Sequence, residues 1–224
     1  MRASLIFFAF WWLGCSDGVV VELESGAQTF ELNASALGVP AALRDGASGS
    51  IASIDCSATG ICPSTAELPI ACAAGVCDPE PLEVAIPVGD VLDFEALLAE
   101  ASPLLRVVDA IEIARADYAV SPNGLTFELP ATELLWAPAS AVSAAEATRL
   151  GTLPSIPAGT PTSGLMAIDT AGAAALSDHI LGSDGRVRFF ARTVVDIAPG
   201  SPFPEGIASA SVNLRLRAIG RFLD

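Results

Sequence analysis

The sequence predicts a mainly β protein, a β-sandwich with short connecting helices and one disulfide-stapled loop. Three observations carry that expectation. Short apolar runs with period-two alternation recur along the chain, as in residues 82–88 and 125–129. They are punctuated by 19 glycines and 16 prolines. The stretches with helical periodicity are short and scattered.

In chain order, residues 19–24 and 28–32 read as two strands around a Ser25-Gly26-Ala27 turn. Residues 39–43 suit a single helical turn, and residues 50–54 alternate into a cysteine-rich loop. After Asp78-Pro79-Glu80-Pro81, residues 82–88 form a strand whose even-numbered side chains point inward. Asp93 is placed to cap a short helix through Glu100, because Phe94, Leu97, Leu98 and Ala101 share one face. Residues 111–120 and 125–129 flank Ser121-Pro122-Asn123-Gly124, and Asn-Gly between apolar runs predicts a hairpin. Leu125, Phe127 and Leu129 then face the core. Ser143 and Glu146 have capping-box spacing for a short helix. Pro154, Pro157 and Pro161 hold the next stretch extended, before a strand at residues 164–168. Thr170 is placed to cap a helix through Ile180 and Leu181, with Gly182 as its stop. The chain closes with a long hairpin of residues 186–197 and 207–219.

The register of that last hairpin decides a charge pattern. Pairing Val187 with Leu216, Phe189 with Leu214 and Ala191 with Val212 gathers the apolar side chains on one face. The other face then displays Arg186, Arg188, Arg192, Arg215 and Arg217, a possible docking face for an acidic protein or anionic glycan. Cross-strand neutralisation by acids of the same domain, such as Glu112, Glu128 or Glu133, is the plainer reading.

The pattern Ser155-Ile156-Pro157-Ala158-Gly159-Thr160, followed by Leu165-Met166-Ala167-Ile168-Asp169, resembles the water-stress and late-embryogenesis β-sandwich family. The family's asparagine-proline signature is missing, and the resemblance implies a sandwich and nothing about activity.

The N-terminus reads as an address. Arg2 is the only charge before Asp17, and between them lie nine apolar residues, 5–13. A basic start and a short greasy stretch make a secretory signal; a permanent span needs about 20 apolar residues. Leu13-Gly14-Cys15 resembles the lipobox of bacterial lipoproteins, departing from it at Trp12, where leucine is usual. The resemblance implies cleavage before Cys15, a diacylglycerol on its thiol and acylation of the new amine. A conventional cleavage site or an unmodified Cys15 is the alternative. Residues 1–14 are thus the signal, 15–18 a lipidated tether, 19–81 the N-terminal strands and cysteine loop, and 82–224 the sandwich, folding as one unit with 19–81. Ser16, Asp17 and Gly18 reach only about 10 Å, so the domain is expected close to the membrane.

Of the 5 cysteines, Cys56, Cys62, Cys72 and Cys77 remain after Cys15. An even, clustered set in an exported protein predicts two disulfides, with all three pairings open. The rival, a zinc site of four thiolates, lacks the tight two-residue spacing of a zinc knuckle.

The chain has 26 acids, 11 arginines and no lysine, for a net charge of −15. That balance argues against nucleic-acid binding, which needs clustered cations. The acidic excess is uneven: residues 15–149 carry 20 acids and four arginines, residues 150–224 six of each. No catalytic constellation stands out. His179, the sole histidine, follows Asp178, but adjacent helical side chains diverge and cannot hold each other as a triad does. Neither a Gly-x-Ser-x-Gly elbow nor a phosphate-binding glycine motif occurs. Asp55, Asp78 and Glu80 bracket the cysteine loop as hard oxygen ligands, but their spacing matches no calcium loop, and no metal or cofactor is expected. The expectation is a lipid-anchored envelope lipoprotein acting as a non-catalytic structural or binding module. The alternatives are a carboxylate-based hydrolase and an edge-strand subunit of an envelope complex.

Overall fold

The computed structural model describes residues 19–37, 39–56, 64, 69–101 and 107–221. The signal, Cys15 and Cys62 lie outside the described residues. The strands are β1 (Val19–Glu24), β2 (Gln28–Asn33), β3 (Ile54–Asp55), β4 (Ile70–Ala73), β5 (Val76–Pro79), β6 (Leu82–Asp93), β7 (Val107–Asn123), β8 (Thr132–Pro138), β9 (Thr148–Leu153), β10 (Thr162–Leu165), β11 (Ala167–Ile168), β12 (Arg186–Val195) and β13 (Ile207–Arg221). The helices are α1 (Phe94–Ala101) and α2 (Thr170–Gly182).

The protein is mainly β, as expected. Two antiparallel five-stranded sheets form among the described residues. Sheet I has the order β1-β13-β7-β10, with β2 also on β13; sheet II has the order β11-β9-β8-β12-β6. A small three-stranded sheet, β3-β5-β4, carries the cysteine loop. The core lies between sheets I and II. Leu214 and Leu216 of β13 share it with Phe189 and Val187 of β12, each at most 2 % exposed.

The C-terminal hairpin expected from the sequence does not form. β12 pairs with β6 and β8 in sheet II, whereas β13 pairs with β7, β1 and β2 in sheet I. The expected alternation holds, since Val187, Phe189, Ala191, Val212, Leu214 and Leu216 are all buried. But the two apolar faces meet across the core rather than side by side on one sheet. The long connection is occupied elsewhere: Ile51 donates to Ser201 O at 2.8 Å, Phe203 donates to Gly49 O at 3.0 Å, and Leu43, Ile51 and Phe203 bury one another.

The hairpin at Asn123-Gly124 is also absent. β7 runs on to Asn123, and residues 124–126 follow the start of β13 instead: Gly124 donates to Ile207 O and Thr126 to Glu205 O. Asn123 is a clamp rather than a turn residue, its Nδ2 donating to Pro157 O at 3.0 Å and Thr160 O at 3.1 Å. Leu125, Phe127 and Leu129 still point inward. β1 and β2 do not fold onto each other. They lie end to end along β13, and Ser25-Gly26-Ala27 is a break in one edge. The strand expected at 164–168 divides at buried Met166, β10 joining sheet I and β11 sheet II.

The helix α1 starts as the sequence suggests. Asp93 Oδ1 accepts from Ala96 N at 2.9 Å at the start of α1. The cap of α2 is Asp169 rather than Thr170, its Oδ1 accepting from Gly172 N at 2.9 Å. Ser143 and Glu146 form only a 3-10 turn without a side-chain cap. α1 packs on β1 and β12, and α2 on β7 and β9, so each helix bridges the two sheets at one side. No helix among the described residues is long and apolar enough to cross a membrane.

The closest approach of α2 to sheet II requires glycine. A Cβ on Gly172 would stand 1.7 Å from Arg149 O, whereas one on Gly182 meets nothing within 4 Å. Gly172→Ala should therefore destabilise the fold by roughly 3 kcal/mol or more, through overpacking against rigid backbone. Gly182→Ala should be neutral or gain up to about 1 kcal/mol from helix propensity. Urea denaturation of the two variants tests this, and equal midpoints would refute the packing of α2 on β9.

Candidate functional site

The split of β12 from β13 separates the five arginines. Arg186, Arg188 and Arg192 lie on sheet II, Arg215 and Arg217 on sheet I, and each points away from the core that lies between the sheets. They form no common face. Three of them meet acids of this chain. Arg192 binds Glu133 through Nε at 2.8 Å and a terminal nitrogen at 2.7 Å. Arg215 Nε lies 3.5 Å from Glu24 and 3.3 Å from Asp117, and Arg217 Nε lies 3.5 Å from Glu22. Among the described residues, Arg186 and Arg188 have no carboxylate within ion-pair range.

These contacts build a charged relay on each outer surface. On sheet II it runs from Arg192 through Glu133 to Arg149, 3.7 Å away, and on to Asp169 at 2.6 Å. Glu133, named from the sequence as a neutralising acid, is its centre; Arg149 and Asp169 were missed because an irregularity between β8 and β9 shifts the register there. On sheet I, Arg215 faces Arg115 directly across β7, and Asp117 contacts both guanidiniums. Opposed like charges on neighbouring strands are destabilising unless an acid stands between them.

The cysteine loop holds a disulfide between Cys56 and Cys77, with Cα atoms 5.9 Å apart. Cys72 is the cross-strand neighbour of Cys77, and their sulfurs lie 2.8 Å apart. Cys56, Cys72 and Cys77 thus cluster within 4.8 Å, but all three are disulfide-bonded, which removes the thiolates a zinc site would use. Asp78 Oδ1 is buried without a hydrogen-bond partner among the described residues.

His179 sits near the C-terminal end of α2. Its ring centroid is 5.4 Å from that of Trp136, and Ser183 Oγ lies 3.2 Å from Nε2. Trp136 is buried in the core, donating its indole N–H to Gly172 O at 3.1 Å.

A concavity of about 90 Å³ opens between β2 and β6. Leu32, Val84, Ile86, Phe127 and Val195 line it, with Glu31, Asn33 and Thr193 as its polar members. A dry apolar cavity of ~150 Å³ accommodates a benzene ring, so this one suits a short aliphatic group. Sequence alternation marked its walls as core, but the gap between the two edge strands follows only from the sheet order.

No protein-family model matches the chain, and no curated protein matches it. Solved structures offer weak likenesses. A chain of Desmodium yellow mottle tymovirus aligns over 100% of this chain and 97% of its own, at 11% identity and a TM-score of 0.31. A chain of turnip yellow mosaic virus aligns over 100% of this chain and 92% of its own, at 8% identity and a TM-score of 0.25. Scores this low establish no common topology.

Two carboxylates are shifted in one direction by such contacts: Asp169, and Asp109, which accepts from Arg221 Nε at 3.0 Å and from a terminal nitrogen at 2.8 Å. The Gly172 amide, then the Arg149 guanidinium, hold Asp169 below the usual carboxylate range; Arg221 does the same for Asp109. A folded-state pKa below the unfolded one gives stability that is complete above about pH 4 and is lost as pH falls through the folded value. Acid titration of stability should show that loss, and the double variant Asp109→Asn/Asp169→Asn should lose less stability between pH 5 and pH 2. An unchanged acid limb would contradict these pairings.

Proposed function

We propose that the protein is an exported envelope lipoprotein, anchored through Cys15, whose β-sandwich serves as a non-catalytic structural or binding module. The observation that carries this reading is the Cys56–Cys77 disulfide in a chain that carries Arg2, the apolar residues 5–13 and, directly after them, Gly14-Cys15. Disulfides persist in oxidising compartments outside the cytosol, and a small residue before cysteine at the end of a short apolar run is lipoprotein chemistry. Two or three acyl chains give stable anchoring where a single chain is marginal.

The module reading follows from where the charges and the cavity lie. Arg192, Arg215 and Arg217 are engaged by Glu133, Glu24, Asp117 and Glu22, which favours internal neutralisation over capture of an acidic partner. The apolar gap between β2 and β6 is the surface feature best suited to holding a small group.

Expression of the full chain in a bacterial host, followed by membrane fractionation and intact mass, tests the anchor. The wild type should be membrane-bound, begin at Cys15 and carry the mass of its acyl chains. Cys15→Ala should be released from the membrane or retained as uncleaved precursor without lipid. A wild-type mass with an unmodified Cys15 would overturn the reading.

A further inference from the structure

The outer surface of sheet I is not uniform along its strands. β1 and β13 pair so that Val20 stands beside Ile219, Glu22 beside Arg217 and Glu24 beside Arg215. Across β13, Ile219 faces Ala110 of β7, and Arg217 faces Glu112. Alternation fixes the sides: Val19, Val21 and Leu23 are half-buried, whereas Val20, Glu22 and Glu24 are exposed. The outer surface therefore changes from charged rows to an apolar row, Val20–Ile219–Ala110, at the end where β1 begins and β13 finishes. Val107, at the start of β7, lies at the same end, opposite Arg221. Val20 is 55% exposed and Val107 48%.

Two further features belong to this corner. Among the described residues, two acids near it are matched: Glu22 by Arg217, 3.5 Å away, and Asp109 by Arg221 at 2.8 Å. A protein of net charge −15 is repelled by anionic headgroups in general, but here the charge is locally paired. The corner is also where the chain arrives from Cys15, because only Ser16, Asp17 and Gly18 separate that cysteine from β1. Such a tether reaches about 10 Å.

From this we propose that the Val20–Ile219–Ala110 row and Val107 form a membrane-contact surface that seats this end of sheet I on the lipid headgroups. The proposal rests on the anchor at Cys15. A patch this small would not hold a free protein on a bilayer; on a tether this short it is presented continuously at high effective concentration, and its task is to fix orientation. The strands of sheet I then rise from the membrane. Ile207, at the far end of β13, stands 12 residues from Ile219, about 40 Å away along the strand. The cavity beside β2, whose Asn33 pairs with Ile207, faces away from the bilayer.

The test uses the full, processed protein in vesicles of phosphatidylcholine with a minority of phosphatidylglycerol, with or without dibrominated acyl chains. Tryptophan is introduced singly by Val20→Trp, Val107→Trp and Ile207→Trp, all at exposed positions, against the background of buried Trp136. Bromolipid should quench the Val20→Trp and Val107→Trp proteins at least threefold more than the Ile207→Trp protein. Quenching of Val20→Trp alone would mean that the tether, not the surface, meets the lipid, and would overturn the proposal; so would equal quenching at all three positions. Intact mass of the same samples separates the two ideas. Acylated protein without preferential quenching sinks the docked surface and leaves the anchor standing, whereas unmodified Cys15 sinks both.

Discussion

β13 is the strand on which the rest of the structure depends. Its 15 residues are hydrogen-bonded on both flanks, to β7 on one side and to β1 and then β2 on the other. Ala208, Ala210, Val212, Leu214, Leu216 and Ala218 alternate into the core at no more than 2% exposure. The flanking edge is broken between β1 and β2, yet Leu214 loses no hydrogen bond there. Ser25 N donates to Leu214 O at 2.9 Å, and Leu214 N donates to Ser25 Oγ at 3.0 Å. An unsatisfied buried amide would cost about 1–3 kcal/mol, so this serine lets two short strands serve as one long edge.

Placing β13 in one sheet and β12 in the other determines what the two outer surfaces can be. The arginines of these strands face opposite ways, and Arg192, Arg215 and Arg217 meet acids carried by neighbouring strands of their own sheets. The acidic first two-thirds of the chain and the neutral last third are therefore complementary in space, because β1 and β7 flank β13, and β6 and β8 flank β12. The same arrangement leaves an apolar row at one end of sheet I and an apolar cavity at the other, with the start of β1 at the first.

Much of the local structure was legible in the sequence, and most of the pairing was not. Alternation identified the inward side chains of β6, β12 and β13 and of residues 125–129, because burial imposes a period of two whichever strand lies alongside. The cap at Asp93 was legible because it satisfies an amide only three residues away, whereas the cap of α2 falls on Asp169, one residue before the Thr170 that the sequence offers. The two expected hairpins failed for a common reason: partner choice is set by distant contacts. Asn123 and Gly124 have turn chemistry, but the Asn123 amide is used on Pro157 and Thr160. Gly206 has a φ of 93° and comes so near Gly124 that a Cβ would stand 1.9 Å from its carbonyl oxygen. The connection between β12 and β13 looked like hairpin punctuation, yet it is held by residues 49–51. Glu133 could be named from its position; Arg149 and Asp169 could not, since a register shift and a helix start bring them together.

The most direct test of this account is the pairing of β12 and β13 in solution. Backbone NOEs in a deuterated, isotope-labelled sample should connect Ala191 with Leu134 and Ile86, and Val212 with Tyr118 and Gln28, as neighbouring strands require. Backbone NOEs joining Val187 to Leu216 or Ala191 to Val212 would restore the hairpin, return the arginines to one surface and contradict the two-sheet arrangement.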